Sequence, residues 1–292
     1  MILPGNTDRV GTTPESQALV SVVVPVFNGE NHLRELIESV QAQTHRNLEI
    51  IFTEGGGTDS SQGIIREYAE KDPRIQLILT QERITAAENW TTATRAASAD
   101  YIKLICQDDL LAPDSIEKQL QDLTNFPHAV MAIAQRDVVD RNSKVLYAKR
   151  GLTGLKGKEI DGSRVVHTCY LQGTNVIGEP LAVLFRREPL LAAMPWTDHN
   201  PLMLDLNTYQ KVAPLGTVVT RHESLGAFRV STSSWSTRLA KLQLEHTKQW
   251  QHAYAQESHP TAAHRVRAAA GRHIQVNLRR AAYRILKARG AM

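Results

Sequence analysis

Two carboxylates stand side by side at Asp108-Asp109, directly after the apolar run Tyr101–Ile105. Adjacent carboxylates repel one another, and a divalent cation relieves that repulsion. Mg2+ is commonly held by one or two carboxylates plus substrate phosphates, so few protein ligands are required. The competing reading is a solvated loop that caps the helix opened by Pro113. A second cluster, Glu54-Gly55-Gly56-Gly57-Thr58-Asp59, follows another apolar run, Leu48–Phe52. Glycines there admit a ligand close to the backbone, and an acid can accept hydrogen bonds from a base or ribose. The cluster is neither a Walker loop nor a GxGxxG fingerprint, and its local pattern favours a tight turn with Asp59 capping the next helix.

These residues can act together only if the fold gathers them. Val20–Val26 reads as a strand buried on both faces. Over Glu30–Gln43, Leu33, Leu36, Ile37 and Val40 form a helical stripe. Leu48–Phe52, Ile75–Leu79 and Tyr101–Ile105 read as further strands, separated by helices near Ser60–Ala69 and Ala86–Ala97. A helix runs from Pro113 to about Leu123. Repeated strand-helix-strand units imply a mostly parallel sheet with right-handed crossovers, and such sheets bind ligands at the carboxyl ends of their strands. Pro25-Val26-Phe27-Asn28, Thr53-Glu54-Gly55 and Gln107-Asp108-Asp109 then line one crevice. Beyond Val130 the alternation loosens. Strands are expected at Ala129–Ala134, Val145–Tyr147, Leu181–Arg186 and within Gly216–Arg229, and helices at Leu202–Val212, Ser236–Gln256 and Thr261–Arg289.

The chain has 292 residues, 42% hydrophobic and 22% charged, which is a globular composition rather than a disordered or fibrous one. No apolar run approaches the ~20 residues that span a bilayer. Residues 1–18 are polar, without the apolar core of a secretory signal, and are expected to be a flexible arm. Cys106 and Cys169 have neither disulfide-framework nor metal-ligand spacing, and a cytoplasmic location is expected. From Ser258 to Met292 there are eight Lys/Arg and no Asp or Glu, so the net +4 of the chain leaves the rest at −4. With no zinc-finger spacing or RNA-binding aromatic signature, nucleic acid is not the expected partner of that tail. Ile274, Leu278, Ala281 and Ile285 share one face of its helix, with Arg272, Arg279, Arg280, Arg284 and Lys287 elsewhere. Two readings stand: an amphipathic helix at an anionic membrane surface, or a helix packed on the domain with a solvated basic face.

Taken jointly, Val20-Ser-Val-Val-Val-Pro-Val-Phe-Asn28-Gly-Glu30, Gln43-Thr44, Glu49-Ile-Ile, the glycine-rich turn, and Tyr101-Ile-Lys-Leu-Ile-Cys-Gln-Asp108-Asp109-Leu-Leu-Ala-Pro113 resemble the family 2 glycosyltransferases. Gly178-Glu179-Pro180-Leu-Ala-Val-Leu-Phe-Arg186-Arg187 and Ala227-Phe-Arg229-Val-Ser-Thr-Ser233 are similar to bacterial members. The resemblance implies an α/β fold of GT-A type, an αβα sandwich with a mostly parallel central sheet. Residues 19–235 are expected to form that domain and 236–292 a helical basic extension.

It also implies an inverting transfer of sugar from a UDP-, GDP- or dTDP-linked donor to a glycan or lipid-linked acceptor, with Mn2+ or Mg2+ as cofactor. A peripheral position at the inner face of the plasma membrane would suit a lipid-linked acceptor. Carried over, Pro25, Phe27, Asn28 and Glu30 line the nucleotide pocket, and Glu54 stands where an Asp usually reads the base. Asp108 is the metal-binding last acid of the Asp-x-Asp motif, Asp109 orients the donor sugar or supports the metal shell, and Arg229 lies near the diphosphate. Asp205 is the candidate general base, with Asp198 and Glu179 as rivals. Four places depart from the pattern: Glu54-Gly55 replaces the usual acidic pair after the second strand, Cys106 the first acid of Asp-x-Asp, Leu204 the first acid beside Asp205, and Ser231 a common His. A non-catalytic sugar-nucleotide-binding subunit therefore remains an alternative. So does a nucleotidyltransferase, although Phe27-Asn28-Gly29-Glu30 lacks the basic residues it would want.

Overall fold

The computed structural model describes residues 18–230 and 242–288. The expected arm before Ala18, the domain boundary at residue 235 and the start of the helix at Ser236 lie outside the described residues. Among the described residues ten strands form one sheet: β1 (Val20–Val26), β2 (Leu48–Glu54), β3 (Ile75–Leu79), β4 (Tyr101–Leu104), β5 (Leu110–Leu111), β6 (Ala129–Val139), β7 (Val145–Arg150), β8 (Glu159–Asp161), β9 (Val183–Arg186) and β10 (Thr217–Arg229). Their spatial order is β3-β2-β1-β4-β9-β6-β10-β5, with β7 beside β6 and β8 beside β10. The first four strands are parallel to one another. β9 runs antiparallel to both neighbours, and β6 and β10 are again parallel.

Every residue of β1 is buried, as a valine-rich central strand covered on both faces should be. Two cores result, one on each side of the sheet. Val22, Val24, Leu36 and Phe52 belong to one; Val23, Ile51, Leu104 and Phe185 belong to the other. Helix α1 (Leu33–Gln41) buries the expected Leu33, Leu36, Ile37 and Val40. It begins later than Glu30 because Asn28, in the left-handed region at φ 52°, turns the chain out of β1 first. Helices α2 (Ser61–Ala69), α3 (Ala86–Ala96), α4 (Ser115–Asn125) and α7 (Leu204–Val212) stand near their expected places. Between them lie α5 (Gly162–Gln172), capped by the Asp161 carboxylate on the Arg164 amide, and the short α6 (Arg187–Ala192). Leu181 does not begin β9, because Pro180–Ala182 coils into a 3-10 turn first.

Inside this sheet sits a lysine. Lys103 on β4 is 0% exposed, its ammonium donating to the Gln119 side-chain oxygen, whose amide donates to the Ala132 and Ala182 carbonyls. Burial pulls its pKa down to about 7. The folded state therefore holds this proton more weakly than the unfolded chain, and stability rises as pH climbs from about 7 toward the ordinary lysine value. Between about pH 7 and about pH 9.5 the wild type should gain about 3 kcal/mol over Lys103→Met, at ~1.4 kcal/mol per unit. Urea unfolding of both proteins at the two pH values measures it. Equal pH dependence would mean the lysine is ionised with little cost.

Two helices close the described chain. The penultimate one, Gln243–Ser258, buries Trp250 at 1% exposure. The terminal one, Ala262–Ala288, lies against α5, where Gly173 takes a left-handed φ of 61° at the helix end. A Cβ on Gly271 would meet the Leu171 carbonyl oxygen at 2.6 Å, so the two backbones approach as closely as glycine allows. Trp196 and Trp250 are both core residues, and the Trp196 indole donates to Thr94.

Candidate active site

The crevice begins where β1 and β2 end. After Val26 the chain turns, and the Gln107 side chain grips Phe27 from both sides, accepting its amide at 2.7 Å and donating to its carbonyl at 2.9 Å. The Arg83 guanidinium stacks over the Phe27 ring, 4.8 Å from its centroid. Asn28 and Glu30 are exposed, and each anchors the glycine-rich turn: Asn28 Oδ1 accepts the Thr58 amide and Glu30 accepts the Ser60 amide. Glu54 is buried, its carboxylate accepting the amides of Gly56 and Gly57 at 3.2 and 2.7 Å. Asp59 binds the Glu30 amide in return. Pro25 is buried within β1. A Cβ on Gly57 would meet Glu54 and Asn28 oxygens at 2.7 Å, which explains the glycine.

Asp108 and Asp109 follow β4 in a turn closed by the Asp109 amide on the Cys106 carbonyl. Burial raises the pKa of Asp108, with Arg229 pulling partly the other way. Burial lifts Asp109 well above the carboxylate range, and the negative charge of Asp108 adds to it. Asp109 is wholly buried. One oxygen accepts the Arg229 amide at 3.1 Å, and the other has no hydrogen-bond partner among the described residues. Two acids that resist ionisation together, one with an orphaned oxygen, fit a hard divalent cation. Cys106 does not. Burial first, then the charges of Asp109, Asp108, Asp205 and Glu179, push its thiol well up, and protonated sulfur is no ligand for such an ion.

Arg229, at the end of β10, is also wholly buried. Its Nε donates to the Asp108 carbonyl at 2.9 Å, and Nη1 to the Asp140 and Arg141 carbonyls and the Ser143 hydroxyl. Nη2 pairs with Glu35 on α1 at 2.6 Å. Each of these contacts is to protein, so the guanidinium braces α1, the β6–β7 turn and the acid pair.

Two further acids whose charge reaches Cys106 are Glu179 and Asp205. Burial alone would raise Glu179, but the Arg136 guanidinium, ion-paired with it, holds it below the usual range. Asp205 opens α7, half-buried, accepting the Leu206 amide at 2.7 Å and the Asn175 side-chain amide at 2.8 Å. Burial and the neighbouring Glu179 charge push it up to about 7. The four carboxylates thus share one neighbourhood, since each acts on the Cys106 thiol. Asp198 is exposed on the loop between α6 and α7, and among the described residues no hydrogen bond or ion pair joins it to the cluster.

Sequence reasoning missed the supports: Arg83, Arg136, Asn175 and Glu35. Arg136 meets Glu179 across 43 residues, and nothing in the local pattern of either announces the other.

The family model of glycosyl transferase family 2 matches residues 21–190, from within β1 to within α6. An uncharacterized glycosyltransferase of Haemophilus influenzae is 28% identical over 225 residues, covering 76% of this chain and 84% of the relative. Some other curated relatives are far longer, the chain spanning 15% of their length. Among solved structures, Staphylococcus aureus TarS residues 1–349 superpose with a TM-score of 0.64 at 14% identity, over 88% of this chain and 72% of that one. TarS has also been solved with UDP and with UDP-GlcNAc. The mannosyltransferase PcManGT of Pyrobaculum calidifontis, in complex with GDP-Man and Mn2+, gives 0.61 at 18% identity, over 91% and 77%. At such identities the likeness to solved structures is one of fold. The family match covers more than half of the chain and includes the strand ends that carry Glu54, Asp108 and Asp109, and on that ground the protein belongs to glycosyl transferase family 2, with the GT-A fold.

Proposed function

We propose that this protein transfers a sugar from a nucleoside-diphosphate donor to an acceptor hydroxyl by one inverting displacement. The observation that supports it best is the shared neighbourhood of the Asp108–Asp109 pair and an acid, Asp205, whose pKa lies near neutrality. A general base works best with its pKa near the working pH. Glu179, held ionised by Arg136, keeps Asp205 basic, so two neighbouring acids take different roles. Asp205 receives the acceptor proton as the hydroxyl oxygen bonds to the anomeric carbon. The bond from that carbon to the diphosphate breaks on the opposite face and its electron pair leaves with the nucleotide.

Asp108 would hold Mn2+ or Mg2+, whose chemistry is to neutralise charge on the departing diphosphate. No group of three His, Cys, Asp or Glu side chains is placed to hold a metal among the described residues, so donor oxygens would complete its shell. Arg229 acts through the acids it holds rather than on the donor. Phe27, Asn28, Glu30 and the Glu54 turn form the nucleotide wall, and residues 19–235 carry the reaction. The acceptor we favour belongs to bacterial cell-surface glycan or glycolipid assembly.

Thermal unfolding in the presence of UDP, GDP and dTDP, each with and without Mn2+, tests the donor site. One nucleotide at ~100 times its Kd should stabilise the protein by about 2.7 kcal/mol, and removing Mn2+ should lose most of that. No shift with any of the three would remove the donor-binding reading.

A further inference from the structure

The terminal helix Ala262–Ala288 is packed on one face and bare on another. Ala268, Val276 and Leu286 are buried, and Gly271 meets α5. On a neighbouring face of the helix Ile274, Leu278 and Ile285 are 57%, 60% and 48% exposed, at spacings that keep them in one stripe with the exposed Ala281. Val266, at 71%, is a further exposed apolar side chain on the same helix, off the line of the stripe. A helix with one face already satisfied has no structural need for isoleucines and leucines on another.

Charge says what covers them. From Ser258 to Ala288 the sequence carries seven Lys/Arg and no Asp or Glu. Arg265, Arg267, Arg280 and Arg284 are exposed, and Arg280 and Arg284 flank the stripe on one side. A protein groove matching this face would have to be both apolar and strongly acidic. An anionic bilayer offers that combination everywhere, with acyl chains beneath a layer of negative headgroups. No described helix is long and apolar enough to cross a membrane, so the contact is one of lying on the surface.

We propose that the protein docks on anionic lipid through this helix, with Ile274, Leu278 and Ile285 entering the headgroup boundary and the exposed arginines meeting the headgroups. The docking does not depend on the transferase reading, because none of the residues it uses belongs to the acid cluster.

The test is co-sedimentation of the full-length protein with vesicles of phosphatidylcholine alone and of phosphatidylcholine with phosphatidylglycerol. Binding is expected to the anionic vesicles at low salt, and to fall at least ~tenfold at ~0.5 M salt, where the Debye length shrinks to a few ångströms. Ile274→Glu with Leu278→Glu, on a solvent-facing stripe where folding is spared, should lower partitioning at least ~tenfold. Arg280→Glu with Arg284→Glu should do the same. Circular dichroism and nucleotide release from donor serve as controls for folding and for the separate catalytic claim. Wild-type protein that ignores the anionic vesicles, or a double glutamate variant that binds them as well as wild type, overturns the proposal. So does a self-association, seen in sedimentation velocity, that the glutamates abolish while vesicle binding is absent, since the stripe then belongs to a second copy.

Discussion

Asp108→Ala should lower donor turnover at least ~10²-fold, because several kcal/mol of charge stabilisation on the leaving diphosphate depend on one carboxylate. Nucleotide binding should lose its Mn2+-dependent part at the same time. The fold should survive. Asp108 gives its backbone carbonyl, not its side chain, to Arg229, so the brace among α1, the β6–β7 turn and β10 stays in place. Initial rates of nucleotide release, with calorimetric titration of nucleotide with and without Mn2+, read both effects. Full activity in this variant would take the acid pair out of the mechanism.

The second large effect belongs to Asp205. Asp205→Asn keeps size and hydrogen-bonding capacity while removing basicity. Transfer should slow by ~10²–10⁴-fold with donor binding unchanged. The pH profile adds a signature that a structural role would not give. With Asp205 pushed up to about 7, the wild-type rate should fall about tenfold per unit as pH drops below that value, because the protonated acid cannot accept the acceptor's proton. The residual activity of the variant should show no such step. A variant that transfers at near-normal rates would return the role to Glu179 or Asp198. Glu179 is disfavoured chemically, since the Arg136 ion pair keeps it a weak base, and Asp198 stands apart on an exposed loop.

The strands and acids of the first half were legible because burial there is written in consecutive residues. Val20–Val26 and Leu48–Glu54 are buried almost throughout, and each ends in the polar residues that shape the crevice. Asp108–Asp109 could be found for the same reason. Arg229 could not be understood from sequence, because its partners lie far away in the chain and a buried arginine looks locally like any other. Helix α5 went unread because its buried positions, Val165, Val166, Cys169 and Tyr170, are spread among polar residues in a short segment.

The terminal helix misleads in an instructive way. Its most apolar stripe, Ile274-Leu278-Ala281-Ile285, faces out, while the packed face is built partly from Ala268 and Gly271. Close approach to α5 selects small side chains, so hydrophobic content alone points to the wrong side.

Turnover of a donor separates an enzyme from a binding protein, and nucleotide release reports it. Full-length protein incubated with UDP-, GDP- and dTDP-linked sugars should release nucleoside diphosphate from at least one of them. Chelation of divalent cations should stop the release, and Mn2+ or Mg2+ should restore it. A protein that binds one of these nucleotides tightly yet releases none from any donor, with or without cation, would contradict the account. It would instead be a sugar-nucleotide-binding subunit, in which Cys106 and Leu204 mark the loss of catalytic acids.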